Sequence, residues 1–89
     1  MIDVMTKFAE MFKGLRKNQN LTQEQVADKI GTTVQFVCNI ENARALLPAE
    51  KLKVTAEVLK VEPEKLAAAV MVAKGFMYYK RAGLKVKTK

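Results

Sequence analysis

The sequence predicts an all-α fold of five helices. Apolar residues recur at three- and four-residue steps over most of the chain. Helix-start signals fall between these stretches, at Thr22, Thr33, Pro48 and Pro63. With 89 residues, the chain has room for one domain and a single small core.

The first helix is expected over residues 3–18, where Val4, Phe8, Met11, Phe12 and Leu15 form one stripe. Gly14 weakens it by about 1 kcal/mol relative to Ala without overturning it. Asn18-Gln19-Asn20 is a polar turn, and Leu21 packs as a staple under the second helix. That helix opens on Thr22-Gln23-Glu24-Gln25, a capping box in which Thr and Gln side chains cover unpaired backbone N–H groups. Val26, Ala27 and Ile30 supply its apolar stripe, and Gly31 stops it where the chain needs a positive φ. Thr33 is the expected N-cap of the third helix, with Thr32 the alternative. Ala43 to Leu47 is a loop.

Pro48 marks a fourth helix over residues 48–60, with Leu52, Thr55, Ala56 and Leu59 inward. Val61-Glu62-Pro63 is a turn into a fifth, where Glu64 suits the positive end. From Leu66 to Ala73 the chain is apolar all round, so this helix must be buried on more than one side. One face covers the core. The rest, with Phe76, Met77, Tyr78 and Tyr79, calls for a partner, most simply a second copy of the chain; the alternative is folding back on its own core. Gly75 ends or merely interrupts the helix. Leu84 to Thr88 alternates apolar and basic, and fits an edge strand, an arm or a disordered tail.

The net charge of +7 and a pI near 9.7 point to a polyanionic partner such as nucleic acid. The charge is uneven. Residues 1–73 hold ten Lys/Arg against nine Asp/Glu, whereas residues 74–89 hold Lys74, Lys80, Arg81, Lys85, Lys87 and Lys89 and no acid. Two regions are therefore expected: residues 1–73 as the folded domain, and residues 74–89 as a basic extension that serves dimerisation or contacts to a nucleic-acid backbone, or is disordered. One Cys and no His exclude a disulfide framework and a Cys/His metal cluster, and point to a reducing, cytoplasmic setting. No apolar run reaches roughly 18 residues, and the N-terminus lacks the order of a signal peptide. Without His, a phosphate-cradling Gly loop or an acid pair in an evident cleft, no enzyme, cofactor or small-molecule ligand is indicated. The methionines read as pliable core filler rather than metal ligands.

The third helix is the unusual one. At roughly 100° per residue, Val37 and Ile40 share a face, while Gln35, Asn39 and Asn42 fall opposite. Such amides are what read adenine edges in the major groove; the plainer alternative is a solvated face. The stretch Leu21 to Asn42 resembles the lambda-repressor-like, XRE-type helix-turn-helix family of the phage-repressor and Cro kind. The resemblance rests on Leu21, Thr22-Gln23-Glu24, Val26-Ala27, Ile30-Gly31, Val37 and Ile40-Glu41, and spans roughly Phe8 to Leu66. It departs from the family at Ala43, where a loop Gly is usual, and at Thr55, where a larger apolar residue is usual.

The resemblance implies that the third helix enters the major groove of double-stranded DNA. Gln35 and Asn39 are then the candidate base readers, and Val34 contacts a thymine methyl or packs. Gln23 inherits a phosphate-clamping role at a helix N-terminus. Thr33, Asn42 and Arg44 are further phosphate candidates, with Lys17 a weaker one. Glu41 is expected to pair with Arg16 and fix the reading helix against the first. Cys38 is expected to pack, a redox switch being the alternative, and Phe36 to pack against helix four. Val70, Met71, Phe76, Met77, Tyr78 and Tyr79 form the expected dimer interface.

The expected function is transcriptional control, most simply repression at a palindromic operator by a homodimer. The alternative is a protein-binding adaptor or antitoxin that uses the apolar C-terminal helix. A membrane-surface role for the tail lacks an amphipathic helix to support it.

Overall fold

A computed structural model describes residues 3–84. Among the described residues there are five α-helices: α1 Val4–Asn18, α2 Gln23–Ile30, α3 Val34–Glu41, α4 Leu52–Leu59 and α5 Pro63–Arg81. No strand occurs among the described residues.

Local chemistry sets the boundaries. Asp3 caps α1 by accepting from the Thr6 N–H at 2.8 Å. The Thr22–Gln25 box is reciprocal: Gln25 N–H donates to Thr22 Oγ1 at 3.0 Å, and Thr22 N–H to Gln25 Oε1 at 2.8 Å. Gly31 ends α2 at φ 74°, a conformation where any Cβ would be crowded. Thr33, not Thr32, caps α3 by accepting from the Phe36 N–H at 3.1 Å.

The fourth helical stretch does not begin at Pro48 as one α-helix. A 3-10 turn, Ala49–Lys51, comes first, and α4 proper starts at Leu52. Pro48 precedes that turn in an extended conformation, ψ 150°.

The helices close round one core. Phe8 and Phe12 of α1, Val26 and Ile30 of α2, Val37 and Ile40 of α3, Leu47, Leu59 of α4, and Leu66 of α5 are all buried there. Each such side chain contributes about 1.5–3 kcal/mol. The Phe8 and Phe12 rings pack tilted, 6.5 Å between centroids.

α5 packs on α1 and α4 through Leu66, Val70 and Ala73. It corrects the dimer expectation at one residue. Val70 lies on that inward stripe and is only 7% exposed, so it belongs to the core of the single chain. Met71, Val72 and Tyr78 lie outside, at 70%, 61% and 73% exposure. Gly75 does not end α5, which runs on to Arg81. Residues 75–81 are thus helical, and no break falls between residues 73 and 74. The expected alternation Leu84 to Thr88 lies, beyond Leu84, outside the described residues.

Candidate nucleic-acid interface

α3 is positioned by its underside. Val37 and Ile40 are fully buried and seat the helix on α2 and α1. The opposite face is thereby held outward. Gln35 is exposed there and Asn39 half-exposed. Their carboxamides touch: Gln35 Nε2 donates to Asn39 Oδ1 at 3.1 Å. Each amide still keeps a donor and an acceptor, so each can meet an adenine edge with two hydrogen bonds. Val34 stands at the helix start and is 45% exposed, open to an apolar contact. Thr33 accepts from Phe36, which leaves its hydroxyl proton to donate elsewhere.

Behind this face lies a buried polar network. Arg16 Nε donates to Glu41 Oε2 at 2.7 Å and Arg16 Nη2 to Glu41 Oε1 at 3.0 Å. Arg16 Nη1 donates to the Leu21 carbonyl at 2.8 Å. Gln23 Nε2 completes the set by donating to Glu41 Oε1 at 3.0 Å. One carboxylate thus ties together α1, the first residue of α2 and the last of α3. The sequence places Arg16 against Glu41 by resemblance only, and the link from Gln23 carries no sequence signal. Gln23 retains a second N–H and its Oε1 at the N-terminus of α2.

Asn42, a candidate phosphate contact, is exposed and bonds within its own helix. Its Nδ2 donates to Cys38 O at 2.9 Å and to Cys38 Sγ at 3.3 Å. The amide nitrogen is thus turned back on α3, and a phosphate offers only acceptors. Arg44 and Lys17 are exposed. Arg44 is fixed through its backbone, whose N–H donates to the Asn39 carbonyl at 2.8 Å. Cys38 is half-buried, and its Sγ accepts from Asn42 Nδ2. Phe36 is half-buried against the core.

Lys51 carries a bond that the sequence does not announce. Its Nζ donates to the Gly31 carbonyl at 3.0 Å, placing a cation on the C-terminal end of α2, where the helix dipole favours one. Nothing in the spacing of residues 31 and 51 signals it.

The helix-turn-helix family model matches residues 12–66, more than half of the chain. The chain belongs to the XRE/lambda-repressor-like helix-turn-helix family, a family of DNA-binding regulators. Among solved structures, the restriction–modification controller protein C.AhdI from Aeromonas hydrophila is similar at TM-score 0.63 and 26% identity. That likeness covers 70% of this chain and 90% of that one. The clp gene regulator ClgR from Corynebacterium glutamicum is similar at TM-score 0.65 and 15% identity, over 92% of this chain and 84% of that one. A second ClgR crystal structure gives TM-score 0.63 and 14% identity, over 86% and 96%. At those identities the ClgR likeness concerns the fold alone. A search of curated proteins finds no match. No helix among the described residues is long and apolar enough to cross a membrane.

Proposed function

We propose that the protein is a transcriptional repressor that binds a partly palindromic DNA operator as a homodimer, with α3 in the major groove. One observation carries this reading: the outer face of α3 presents Gln35 and Asn39 side by side, 3.1 Å apart, while its inner face is sealed into the core. Gln35 and Asn39 read bases, and Val34 meets a thymine methyl. Gln23 and Thr33 hold phosphates at the two helix starts, with Arg44 and, more weakly, Lys17 as further backbone contacts. Asn42 joins them only if its amide leaves Cys38. Arg16 and Glu41 hold the framework.

The reading helix sits in residues 1–73, and residues 74–89 supply basic charge. The bulky side chains left uncovered on α5 favour pairing of two copies. Met71 and Tyr78, at 70% and 73% exposure, would be central, with Tyr79, Met77 and Phe76 beside them. Half-sites would then lie about 34 Å apart, one turn of the duplex. The similarity to a restriction–modification controller protein fits the same role. Repression by excluding polymerase needs nothing more than occupancy. The setting that goes with this reading is cytoplasmic, in a prokaryote or its phage.

Selection of bound duplexes from a random pool tests the reading. Enrichment of an inverted repeat, with a dimer by sedimentation, supports it. Failure to enrich any sequence overturns it.

A further inference from the structure

We propose that the last turn of α5 and the loop after α3 form a second phosphate-binding cleft, which grips the DNA backbone beyond the helix-turn-helix. The inference rests on the DNA-binding reading above and deepens it.

Three segments distant in sequence meet at this place. Ala43 and Arg44 come from the loop after α3, Asp3 from the start of α1, and Phe76, Lys80 and Arg81 from the end of α5. Together with Met5 and Met77 they line an open cleft of about 280 Å³, in which Phe76 and Met77 form the wall shared with the edge of the proposed dimer face. Its charge is one-sided, with three cations against the single carboxylate of Asp3. Asp3 is already committed, since its Oδ1 caps α1 by accepting from the Thr6 N–H. That bond is the main reason its carboxyl lies below the usual value, and Lys80 contributes a smaller pull in the same direction. None of the three cations forms an ion pair among the described residues, where Arg16–Glu41 is the one such pair.

Lys80 is oriented. Its Nζ lies 5.5 Å from the centre of the Phe76 ring, one turn earlier on α5, so a cation–π contact holds the ammonium on the wall of the cleft. The backbone that carries Arg44 is fixed, through its N–H bond to the Asn39 carbonyl. A residue that faces bases therefore fixes the loop that carries the first cation. Arg44 lies five residues past Asn39 and shares its cleft with Lys80 and Arg81, so a strand bound beside Asn39 would meet one positive surface. Arginine forks match phosphate oxygens, and a lysine ammonium adds a point charge. The occupant is the DNA backbone rather than an acidic protein, because Ala43 and Arg44 of the lining follow directly on Asn42, the C-cap of α3.

The test compares wild-type protein with Lys80→Gln/Arg81→Gln, with Arg44→Gln, and with a control pair on the far turn, Lys60→Gln/Lys65→Gln. Affinity is measured against salt for a mixed-sequence duplex and for one selected by the wild-type protein. Removing one cation from a phosphate lowers the slope of log K against log salt by about 0.9. The cleft variants should show a slope shallower by roughly one to two units on both duplexes, with the preference between duplexes retained. Phosphate-ethylation interference should disappear at the same backbone position in Arg44→Gln and in the double variant. The control pair should keep the wild-type slope.

All substituted side chains are exposed, and Arg44→Gln lies outside any helix, so one informative variant survives if α5 frays. A wild-type slope in the cleft variants overturns the cleft while leaving the DNA-binding reading intact. So does an equally shallow slope in the control pair. A wild-type protein that binds neither duplex overturns both readings.

Discussion

Arg16 on α1 and Glu41 at the end of α3 stand 25 residues apart and meet in a two-bond ion pair, 2.7 and 3.0 Å long. Their side chains are 10% and 3% exposed. A buried pair of this kind is worth little as a pair but much to keep intact. Glu41→Ala strands a desolvated guanidinium and should cost about 3–5 kcal/mol, a large part of the roughly 5–15 kcal/mol that holds a domain together. Arg16→Met with Glu41→Leu should recover most of that cost, because no charge is then left alone. Urea denaturation measures both. An unchanged midpoint for Glu41→Ala would show that the pair does not hold α3.

Three positions test the backbone. Gly31→Ala should destabilise by about 1–2 kcal/mol, since φ is 74° and a left-handed residue with a Cβ carries that penalty. The added Cβ would also lie 3.2 Å from the Lys51 Nζ that bonds the Gly31 carbonyl. Ala43 already bears the same strain at φ 61°, at the loop position where the family usually has Gly. Ala43→Gly should therefore stabilise, by roughly 0.5–1 kcal/mol after the extra chain entropy of Gly. Gly75→Ala should gain a similar amount, because Gly75 sits inside α5 with open space around a new Cβ. Thermal melts giving the opposite order would refute this assignment of conformations.

Thr55 is buried in α4 and its Oγ1 has no hydrogen-bond partner. The site carries the desolvation penalty of a hydroxyl with nothing in return. Thr55→Val keeps the shape and removes the polar atom, so it should raise stability by about 1–2 kcal/mol. Thr55→Ser keeps the hydroxyl, deletes a methyl and should lower stability. If Val is the worse of the two, Oγ1 has a partner in solution.

What can be read from the sequence follows the range of the forces involved. The boundaries of α2 and α3 are legible because Thr22, Gln25, Gly31 and Thr33 act on backbone groups within three residues. Val70 falls on the wrong side in the sequence because a helix apolar all round carries no phase. Only the positions of α1 and α4 show that Leu66, Val70 and Ala73 face inward. Gly75 reads locally as an end or an interruption of α5. Yet a single Gly costs a helix only about 1 kcal/mol, too little to stop one that packs on α1. The Gln23–Glu41 bond, the Lys51–Gly31 bond and the cleft of Arg44 with Lys80 join residues 18 or more apart, and no local pattern encodes them.

Substitutions on the outer face of α3 should separate stability from specificity. Gln35→Ala and Asn39→Ala remove exposed or half-exposed amides whose only mutual bond is the 3.1 Å contact between them. Neither supports the core, so both variants should melt within about 0.5 kcal/mol of wild type. On selected DNA each should forfeit about 1–3 kcal/mol of discrimination at its own base pair, with affinity for mixed-sequence duplex unchanged. The two effects should not add, because either substitution also frees the partner amide from the bond that orients it. Additive effects at two separate base pairs would mean that the amides act independently. A fall in stability without any change in sequence preference would mean that α3 does not read DNA.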